Sequence, residues 1–152
     1  MRVSTKFSVA VHSVLIIAMF ADKKKISSDK ISLSTGVNAV IIRNIFKSLK
    51  KAGIIAVAPG PGGVKLARNT DSITLWDIFT AIEAMDTEDI FKFNEHVSKY
   101  CPVGRNNNGI LKTHLDDAVE AMKRELSKVS VFTLVEEMQS CMFSAELKNA
   151  PV

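Results

Sequence analysis

The chain has few of the residues on which several protein classes depend. Its two cysteines, Cys101 and Cys141, are too few and too widely spaced for a disulfide-rich secreted framework or a cysteine-based zinc site. The sequence also has no Gly-Lys-Ser/Thr phosphate loop, no His-Glu-x-x-His pair and no nucleophile elbow. We therefore expect no catalysis, no metal site and a reducing, cytoplasmic location.

Long apolar runs are also missing. The longest candidate, Phe7–Ala21, is interrupted by His12 and Ser13 and is shorter than the roughly 20 apolar residues that span a bilayer. It ends in Asp22 and three lysines without a small-residue cleavage site, so it does not resemble a signal peptide. We predict a buried helix over Thr5–Ala21 and no membrane partner. His12 is then either a hydrogen-bonded core histidine or a sensor residue.

Charge is divided unevenly along the chain. Residues 1–70 carry twelve Lys or Arg and two Asp, a balance of +10, whereas residues 71–152 carry eight Lys or Arg and fourteen Asp or Glu, a balance of −6. The overall charge of +4 conceals this asymmetry. A polyanion would meet the field of the basic half, so double-stranded DNA is the expected partner.

The basic half contains the pattern of a winged helix-turn-helix. Ser27-Ser28-Asp29 offers cap chemistry for a short helix with Ile31 and Leu33, which Gly36 ends. A third helix is predicted over 37–52. An apolar run at 54–58, a proline- and glycine-rich turn at 59–63 and a return strand at 64–68 then predict a hairpin, the wing.

The third helix has two faces when its residues are placed at about 100° each. The apolar arc, expected to pack, comprises Val37, Ile41, Ile42, Ile45, Phe46 and Leu49. The opposite arc, expected to be free, comprises Val40, Arg43, Asn44, Lys47, Lys50 and Lys51. A lysine-rich face is often only solvated, but its place between a tight turn and a hairpin favours insertion into the major groove.

Each residue of the free face has an expected role. Arg43 and Asn44 are candidate base readers, because Arg can bond guanine and Asn adenine through two hydrogen bonds. Val40 suits a thymine methyl group. Phosphate contacts are expected from the remaining candidates, which are Lys47, Lys50, Lys51, Ser27 and Ser28. Asn38 either caps the third helix or contacts DNA.

The rest of the chain is predicted to close the core and to carry a dimer helix. A helix beginning at Asp71 should bury Ile73, Trp76, Ile78, Phe79 and Ile82. Residues 86–108 lack a clear period, and we predict a mobile or ligand-responsive loop there. A long helix over 109–129 has an apolar stripe typical of a dimer interface, although packing on its own domain is the alternative. The stripe comprises Leu111, Leu115, Ala118, Met122, Leu126 and Val129.

The last part of the chain is predicted to be a short helix over 132–138 that docks on the partner, followed by a tail after Leu147. The predicted fold is therefore mainly α with a small β-hairpin. Its parts are a winged helix-turn-helix domain at 1–83, a loop or sensor region at 84–108, and a dimerisation helix with a C-terminal segment at 109–152.

Three segments carry a resemblance to a known family. They are Ile31-Ser32-Leu33-Ser34-Thr35-Gly36, Ile45-Phe46-Lys47-Ser48-Leu49-Lys50-Lys51-Ala52-Gly53-Ile54-Ile55 and Gly60-Pro61-Gly62-Gly63-Val64-Lys65-Leu66-Ala67. They resemble the core signature of the Rrf-two family of bacterial regulators, of the IscR, NsrR and CymR type, and the likeness extends over most of the chain. The resemblance implies a homodimeric winged-helix transcription factor.

The resemblance also assigns residues. The positions with which the family's third helix contacts DNA correspond to Asn38, Val40 and Arg43. Some members have a glutamate at the position of Arg43. The wing turn falls on 59–63, including Gly62 and Gly63. Pro59 replaces the wing arginine of several members, so minor-groove contact falls to Lys65 or to backbone groups.

The sensory chemistry departs from that of cluster-binding members, which carry three closely spaced cysteines before the long helix. This chain has only Cys101 there, so we expect no cofactor, although nitrogen donors such as His12 and His114 leave an iron–sulfur cluster open. Cys101 is either a redox-sensing thiol, favoured by Lys99 or Arg105, or a small packed residue.

The sequence therefore predicts a dimeric, sequence-specific transcriptional repressor that responds to redox state or a ligand. The alternative is a winged-helix module that binds another protein and has no specific DNA site.

Overall fold

The computed structural model describes residues 5–59, 63–83, 90–98 and 100–149, with side chains up to residue 144. The described residues form six α-helices, one short 3-10 helix at Thr70–Ser72 and one two-stranded sheet. The helices are α1 Thr5–Phe20, α2 Ser28–Thr35, α3 Ala39–Lys51, α4 Leu75–Glu83, α5 Pro102–Ser127 and α6 Val131–Asn149, and the strands are β1 Ile55–Val57 and β2 Val64–Leu66. The predicted mainly helical fold with a β-hairpin is confirmed.

Helix α1 lies at the centre and contacts α2, α3, α4, α6 and β2. Ala10, Val14 and Ile17 are buried in the common core, as the apolar run predicted. Ser13 is also buried, and its hydroxyl donates to the carbonyl of Val9 at 2.7 Å, which satisfies the polar group. The prediction of a core histidine is wrong, because His12 lies on the exposed side of α1.

Helices α2 and α3 form the helix-turn-helix. The side chain of Ser27 accepts from the amide of Lys30 at the start of α2, and Gly36 ends α2 with a positive φ of 69°. Asn38 caps α3, since its Oδ1 accepts from the amide of Val40 at 2.8 Å. The apolar sides of both helices join the core through Ile31, Ile42, Ile45, Phe46 and Leu49.

The hairpin follows α3 directly. Strands β1 and β2 are antiparallel with Ile55 opposite Leu66 and Val57 opposite Val64. Most of the predicted turn, residues 60–62, lies outside the described residues. Gly63 has a φ of 78°, which glycine adopts without strain. The hairpin therefore agrees with the predicted wing, with strands one to two residues shorter at their ends.

Helix α4 begins later than predicted. Asp71 lies in the 3-10 turn, and Ile73 is extended and fully buried before α4 starts at Leu75. The start is fixed by a reciprocal cap, in which the amide of Thr74 donates to Asp77 and the amide of Asp77 donates to the Thr74 hydroxyl. The predicted core residues are confirmed at Ile73, Ile78 and Phe79, while Trp76 and Ile82 are half-buried.

A loop was predicted over 84–108, and this prediction is wrong for residues 102–108 because α5 begins at Pro102. Proline suits the first turn of a helix, where its missing N–H is not needed, and Cys101 supplies the cap. The side-chain amide of Asn106 donates to the carbonyl of Pro102 at 2.8 Å within the helix. The asparagines and the glycine at 106–109 have poor helix propensity, which is why the predicted helix began only at 109. Propensity is a weak guide, because the surrounding structure can override it. Of the remaining loop, residues 84–89 and 99 lie outside the described residues.

Helix α6 is longer than the predicted 132–138 segment, and it ends at Asn149, two residues into the tail that was predicted after Leu147. It packs on α1 of its own chain, with Val131 fully buried and Val135 against the core. Two backbone bonds hold its start, from Val131 to Ile73 and from Leu75 to Val129. The C-terminal segment is therefore part of the protomer's own core, and its predicted docking on a partner stays a prediction.

Candidate nucleic-acid interface

One face of α3 is exposed along its whole length. All six residues predicted to be free are exposed: Val40, Arg43, Asn44, Lys47, Lys50 and Lys51. The opposite face is buried at Ile42, Ile45, Phe46 and Leu49. Val37 precedes the helix but packs against the core as predicted, whereas Ile41 departs from the predicted packing face because it is exposed. Ile41 lies at the edge of the packed face, beside a small cavity that it shares with Lys6 and Ile82.

Arg43 is tied to the start of α2. Its Nη1 donates to the hydroxyl of Ser28 at 3.3 Å and lies 3.9 Å from a carboxylate oxygen of Asp29. The guanidinium has five N–H donors, and both contacts involve the same nitrogen. The other edge of the fork therefore remains available to a ligand. Sequence reasoning missed this contact, because no periodic pattern links residues in two different helices.

The other candidates at the helix-turn-helix have mixed environments. Ser27 uses its hydroxyl in the α2 cap, although at 3.4 Å the bond is long. The amine of Lys30 donates to the carbonyl of Lys25 at 2.6 Å, which orders the segment before α2. The alternative left open for Asn38 is answered in part, since its carbonyl oxygen caps α3 while the side chain remains exposed.

The wing lies beside the segment that leads into α2. The amide of Val64 donates to the carbonyl of Ile26 at 3.1 Å, and a Cβ placed on Gly63 would lie 2.9 Å from the same oxygen. Lys65 is exposed on β2. Gly62 lies outside the described residues. A basic side chain is thus available next to the α2–α3 unit.

The two candidate sensor residues have separate environments. Cys101 is exposed, and its sulfur accepts from the amide of Gly104 at 3.5 Å. The packed alternative for Cys101 is therefore wrong. His12 Nε2 lies 3.2 Å from the hydroxyl of Ser34, at the end of α2. His12 and Ser34 also line an apolar groove of about 400 Å³ between α1 and α6, together with Met138 and Met142.

Helix α5 packs on α4 of its own chain and leaves much apolar surface uncovered. Leu111 is 42% exposed and Ala118 is exposed, whereas the other members of the predicted stripe are half-buried: Leu115, Met122, Leu126 and Val129. Val103 and Ile110 are also exposed. Sequence reasoning missed Val103 because it started the helix at 109, and it left Ile110 out of the stripe although that residue lies within the predicted helix. It also missed Val119, which is the buried residue of α5.

Comparison with known proteins assigns this chain to a family. A family model for Rrf2, described as an iron-dependent transcriptional regulator, matches residues 3–137. The chain belongs to the Rrf2 (Rrf-two) family. It is accordingly a DNA-binding transcriptional regulator and not an enzyme. No helix in the described part of the chain is both long and apolar enough to cross a membrane.

Individual Rrf2-type relatives match this chain over much of its length. YwnA of Bacillus subtilis, whose name describes a candidate HTH-type transcriptional regulator, is 29% identical over 129 residues, 85% of this chain and 93% of YwnA. Protein rrf2 of Nitratidesulfovibrio vulgaris is 25% identical over 142 residues, 93% of this chain and 91% of that protein. The regulator IscR of Sodalis glossinidius is 30% identical over 84 residues, 55% of this chain and 51% of IscR.

Solved structures support the same fold. IscR of T. potens has a TM-score of 0.68 at 18% identity, covering 93% of this chain and 90% of that one. CymR, the global cysteine regulator of B. subtilis, has a TM-score of 0.63 at 19% identity, covering 90% of this chain and 97% of CymR. At these identities the likeness concerns the fold alone.

The description of the Rrf2 family raises the question of iron. Iron–sulfur clusters are held by several thiolates, and this chain has two cysteines, one capping α5 and one on α6. Within residues 5–59, 63–83, 90–98 and 100–144, no three His, Cys, Asp or Glu side chains lie close enough together to hold a metal ion. The donor set of these residues does not fit an iron–sulfur cluster.

Proposed function

We propose that this Rrf2 regulator binds an approximately palindromic operator as a homodimer and represses transcription by occupying a promoter in the bacterial cytoplasm. The observation that carries the proposal is the division of α3 into a buried apolar face and an exposed face. The exposed face holds Arg43 and three lysines, and it lies between a capped turn and a hairpin. A helix presented in this way fits the major groove.

The residues of the exposed face have two proposed roles: base readers contact base edges, and anchors contact phosphates. Arg43 and Asn44 have side chains that match guanine and adenine edges, and Val40 offers a methyl surface to thymine. Lys47, Lys50 and Lys51 neutralise phosphates, which contributes affinity without sequence information. Ser27, Ser28 and Asn38 lie at the starts of α2 and α3, where hydroxyl, amide and backbone donors suit a phosphate.

The wing extends the interface toward the minor groove. The exposed Lys65 is the basic residue of β2. Gly62, which lies outside the described residues, is of a residue type that allows the backbone to approach DNA closely, and Gly63 allows the wing to approach Ile26. The bond from Val64 to Ile26 supports this role, because it fixes the base of the hairpin relative to α2.

Dimerisation is supported by the uncovered apolar side chains of α5. Scattered exposed apolar residues are ordinary on monomers, but Val103, Ile110 and Leu111 share one helix, and Leu111 belongs to the predicted stripe. A second copy that covers these residues reciprocally gives a two-fold dimer. Two recognition helices related by that axis require a two-fold operator.

The regulatory response is proposed to act through the start of α5. Because Cys101 is exposed and caps this helix, oxidation of its sulfur would change the helix start. A shift of α5 would alter the spacing of the recognition helices. His12 is the second candidate, since its contact with Ser34 links α1 to the end of α2.

Salt dependence of DNA binding tests the proposal. Fluorescence anisotropy of a labelled duplex from about 50 to 200 mM salt should show log affinity falling linearly with log salt, with a slope proportional to the number of phosphates neutralised. Replacing Lys47, Lys50 and Lys51 by alanine removes up to three phosphate contacts from each protomer, so the slope should flatten by up to about 6 units for the dimer. A variant with Lys112, Lys123 and Lys128 replaced on or next to α5 is the matched control. A flat wild-type curve would favour a module that binds another protein.

A further inference from the structure

The contact between Asp29 and Arg43 places a negative charge beside a proposed base reader. Residues 1–70 contain two acidic side chains, and one of them lies in the first turn of α2. The helix dipole favours an acid at this position. That effect concerns only α2, however, and does not account for the approach of Asp29 Oδ1 to Nη1 of Arg43 at 3.9 Å.

Stability of the fold does not account for this pair either. The side chains of Arg43 and Asp29 are 53% and 77% exposed, and ion pairs in such positions contribute little to folding because water and salt screen them. The same carboxylate lies on the surface that is proposed to meet DNA, where it repels phosphates. The pair therefore costs affinity for DNA without a matching gain in stability.

We infer that Asp29 is a specificity-determining residue, which together with Ser28 holds the guanidinium of Arg43 for base reading and keeps it from the phosphates. This inference rests on the proposed function. Asp29 is a positioning residue and acts through Arg43.

The geometry of the guanidinium supports this role. Ser28 and Asp29 both approach Nη1, so the N–H groups of Nε and Nη2 remain for a ligand. An arginine that is already anchored loses less side-chain entropy when it binds. Its hydrogen bonds to one base edge are therefore stronger in free energy. Without Asp29, the long side chain of Arg43 is free to reach a phosphate, which accepts hydrogen bonds in any sequence.

Electrostatics supports the same conclusion. A carboxylate beside Arg43 offsets the local positive charge, so attraction to phosphates falls for every duplex. The guanine edge is neutral and is recognised by hydrogen-bond geometry, so its contact with the anchored guanidinium is retained. Asp29 thus lowers affinity for wrong sequences more than affinity for the correct one.

The test compares Asp29→Asn with wild type, since this substitution removes the charge and keeps the size of the side chain. Binding is measured on a selected operator duplex and on the duplex altered at the base pair where Arg43→Ala loses discrimination. Asp29→Asn should bind the altered duplex at least about 3-fold more tightly, reduce the affinity ratio by a similar factor, and steepen the salt slope by up to about 1 unit per protomer.

Three controls separate positioning from a simple charge effect. Asp22→Asn removes the other acidic charge of residues 1–70, which has no contact with Arg43, and should leave the affinity ratio unchanged. Asp29→Glu keeps the charge and should retain most of the ratio. In an Arg43→Ala background, Asp29→Asn should no longer change the ratio. Thermal unfolding of the Asp29 variants should stay close to wild type, because Asp29 is exposed and Asp29→Asn loses only a small interaction with the helix dipole.

The outcomes distinguish this inference from the proposed function. If wild type discriminates between the duplexes and Asp29→Asn keeps the full ratio, the role of Asp29 is overturned and the regulator remains. If Asp29→Asn lowers the ratio equally with and without Arg43, positioning of Arg43 is overturned. If wild type binds all duplexes alike, the proposed sequence-specific function fails, and the role of Asp29 fails with it.

Discussion

The backbone amide of Val64 donates a 3.1 Å hydrogen bond to the carbonyl oxygen of Ile26, which joins the wing to the segment before α2. Gly63 stands next to this bond with a φ of 78°, and a Cβ at Gly63 would lie 2.9 Å from the Ile26 oxygen. The position of the wing relative to the recognition helix therefore depends on a glycine at residue 63.

Gly63→Ala should destabilise the fold and weaken DNA binding together. The left-handed conformation costs a non-glycine residue about 1–2 kcal/mol, and the close approach to Ile26 adds to that cost. Gly53→Ala is the matched control, because Gly53 has a φ of 68° and nothing within 4 Å of an added Cβ. Chemical denaturation and duplex binding measure both effects. Equal loss of DNA affinity in the two variants would contradict a role for the wing.

Arg43→Ala and Lys50→Ala should weaken DNA binding in different ways. Loss of Arg43 should cost about 1–3 kcal/mol at one base pair of the operator and relax discrimination there. Loss of Lys50 should weaken all duplexes alike and lower the salt slope by about 1 unit per protomer, or about 2 units for the dimer. Competition with duplexes substituted at each position separates the two patterns. The same profile for both variants would contradict the division into readers and anchors.

Leu111→Asp should dissociate the proposed dimer. Its side chain is 42% exposed on one protomer, so the fold should tolerate the charge, whereas a covered interface should not. We expect the dimer dissociation constant to rise at least about 10-fold, which corresponds to about 1.4 kcal/mol. Sedimentation velocity measures the change. Thr113→Asp, on another face of α5, should leave the dimer intact; if it dissociates the protein equally, the stripe does not define the interface.

Cys101→Ser should remove any response of DNA binding to peroxide or disulfide stress. Both cysteines are exposed, but only Cys101 accepts a hydrogen bond at a helix start among the described residues. Cys141→Ser therefore serves as the matched control and should retain the response. DNA binding before and after oxidant treatment is the measurement. An unchanged response in Cys101→Ser would remove this thiol from the mechanism.

The helix-turn-helix and the wing were predictable because local chemistry fixes them. Gly36 and Asn38 mark the turn, and the alternation of apolar and basic residues in α3 defines its two faces. The start of α4 was less accessible to sequence reasoning. Asp71 looks like a helix cap, but the reciprocal bonds between Thr74 and Asp77 place the start three to four residues later.

Features that depend on contacts between distant segments were not predictable. The approach of Arg43 to Asp29 requires the relative placement of α2 and α3, and no periodicity encodes it. The exposure of His12 follows from the arrangement of the neighbours around α1, which leaves one side uncovered. The early start of α5 at Pro102 was missed because the asparagines and glycines near its start are poor helix formers. The helix begins there because Cys101 caps it and Pro102 suits its first turn.

The most direct test of the central claim is selection of bound fragments from a random duplex library with the purified protein. Two recognition helices related by a dimer axis should enrich a two-fold symmetric site with half-sites about one helical turn apart or a multiple of it. At physiological salt, the Lys47, Lys50 and Lys51 alanine variant should bind too weakly to enrich a site. Enrichment of a symmetric site by wild type alone is the predicted result, whereas no enrichment, or equal enrichment by the variant, would contradict recognition through the exposed face of α3.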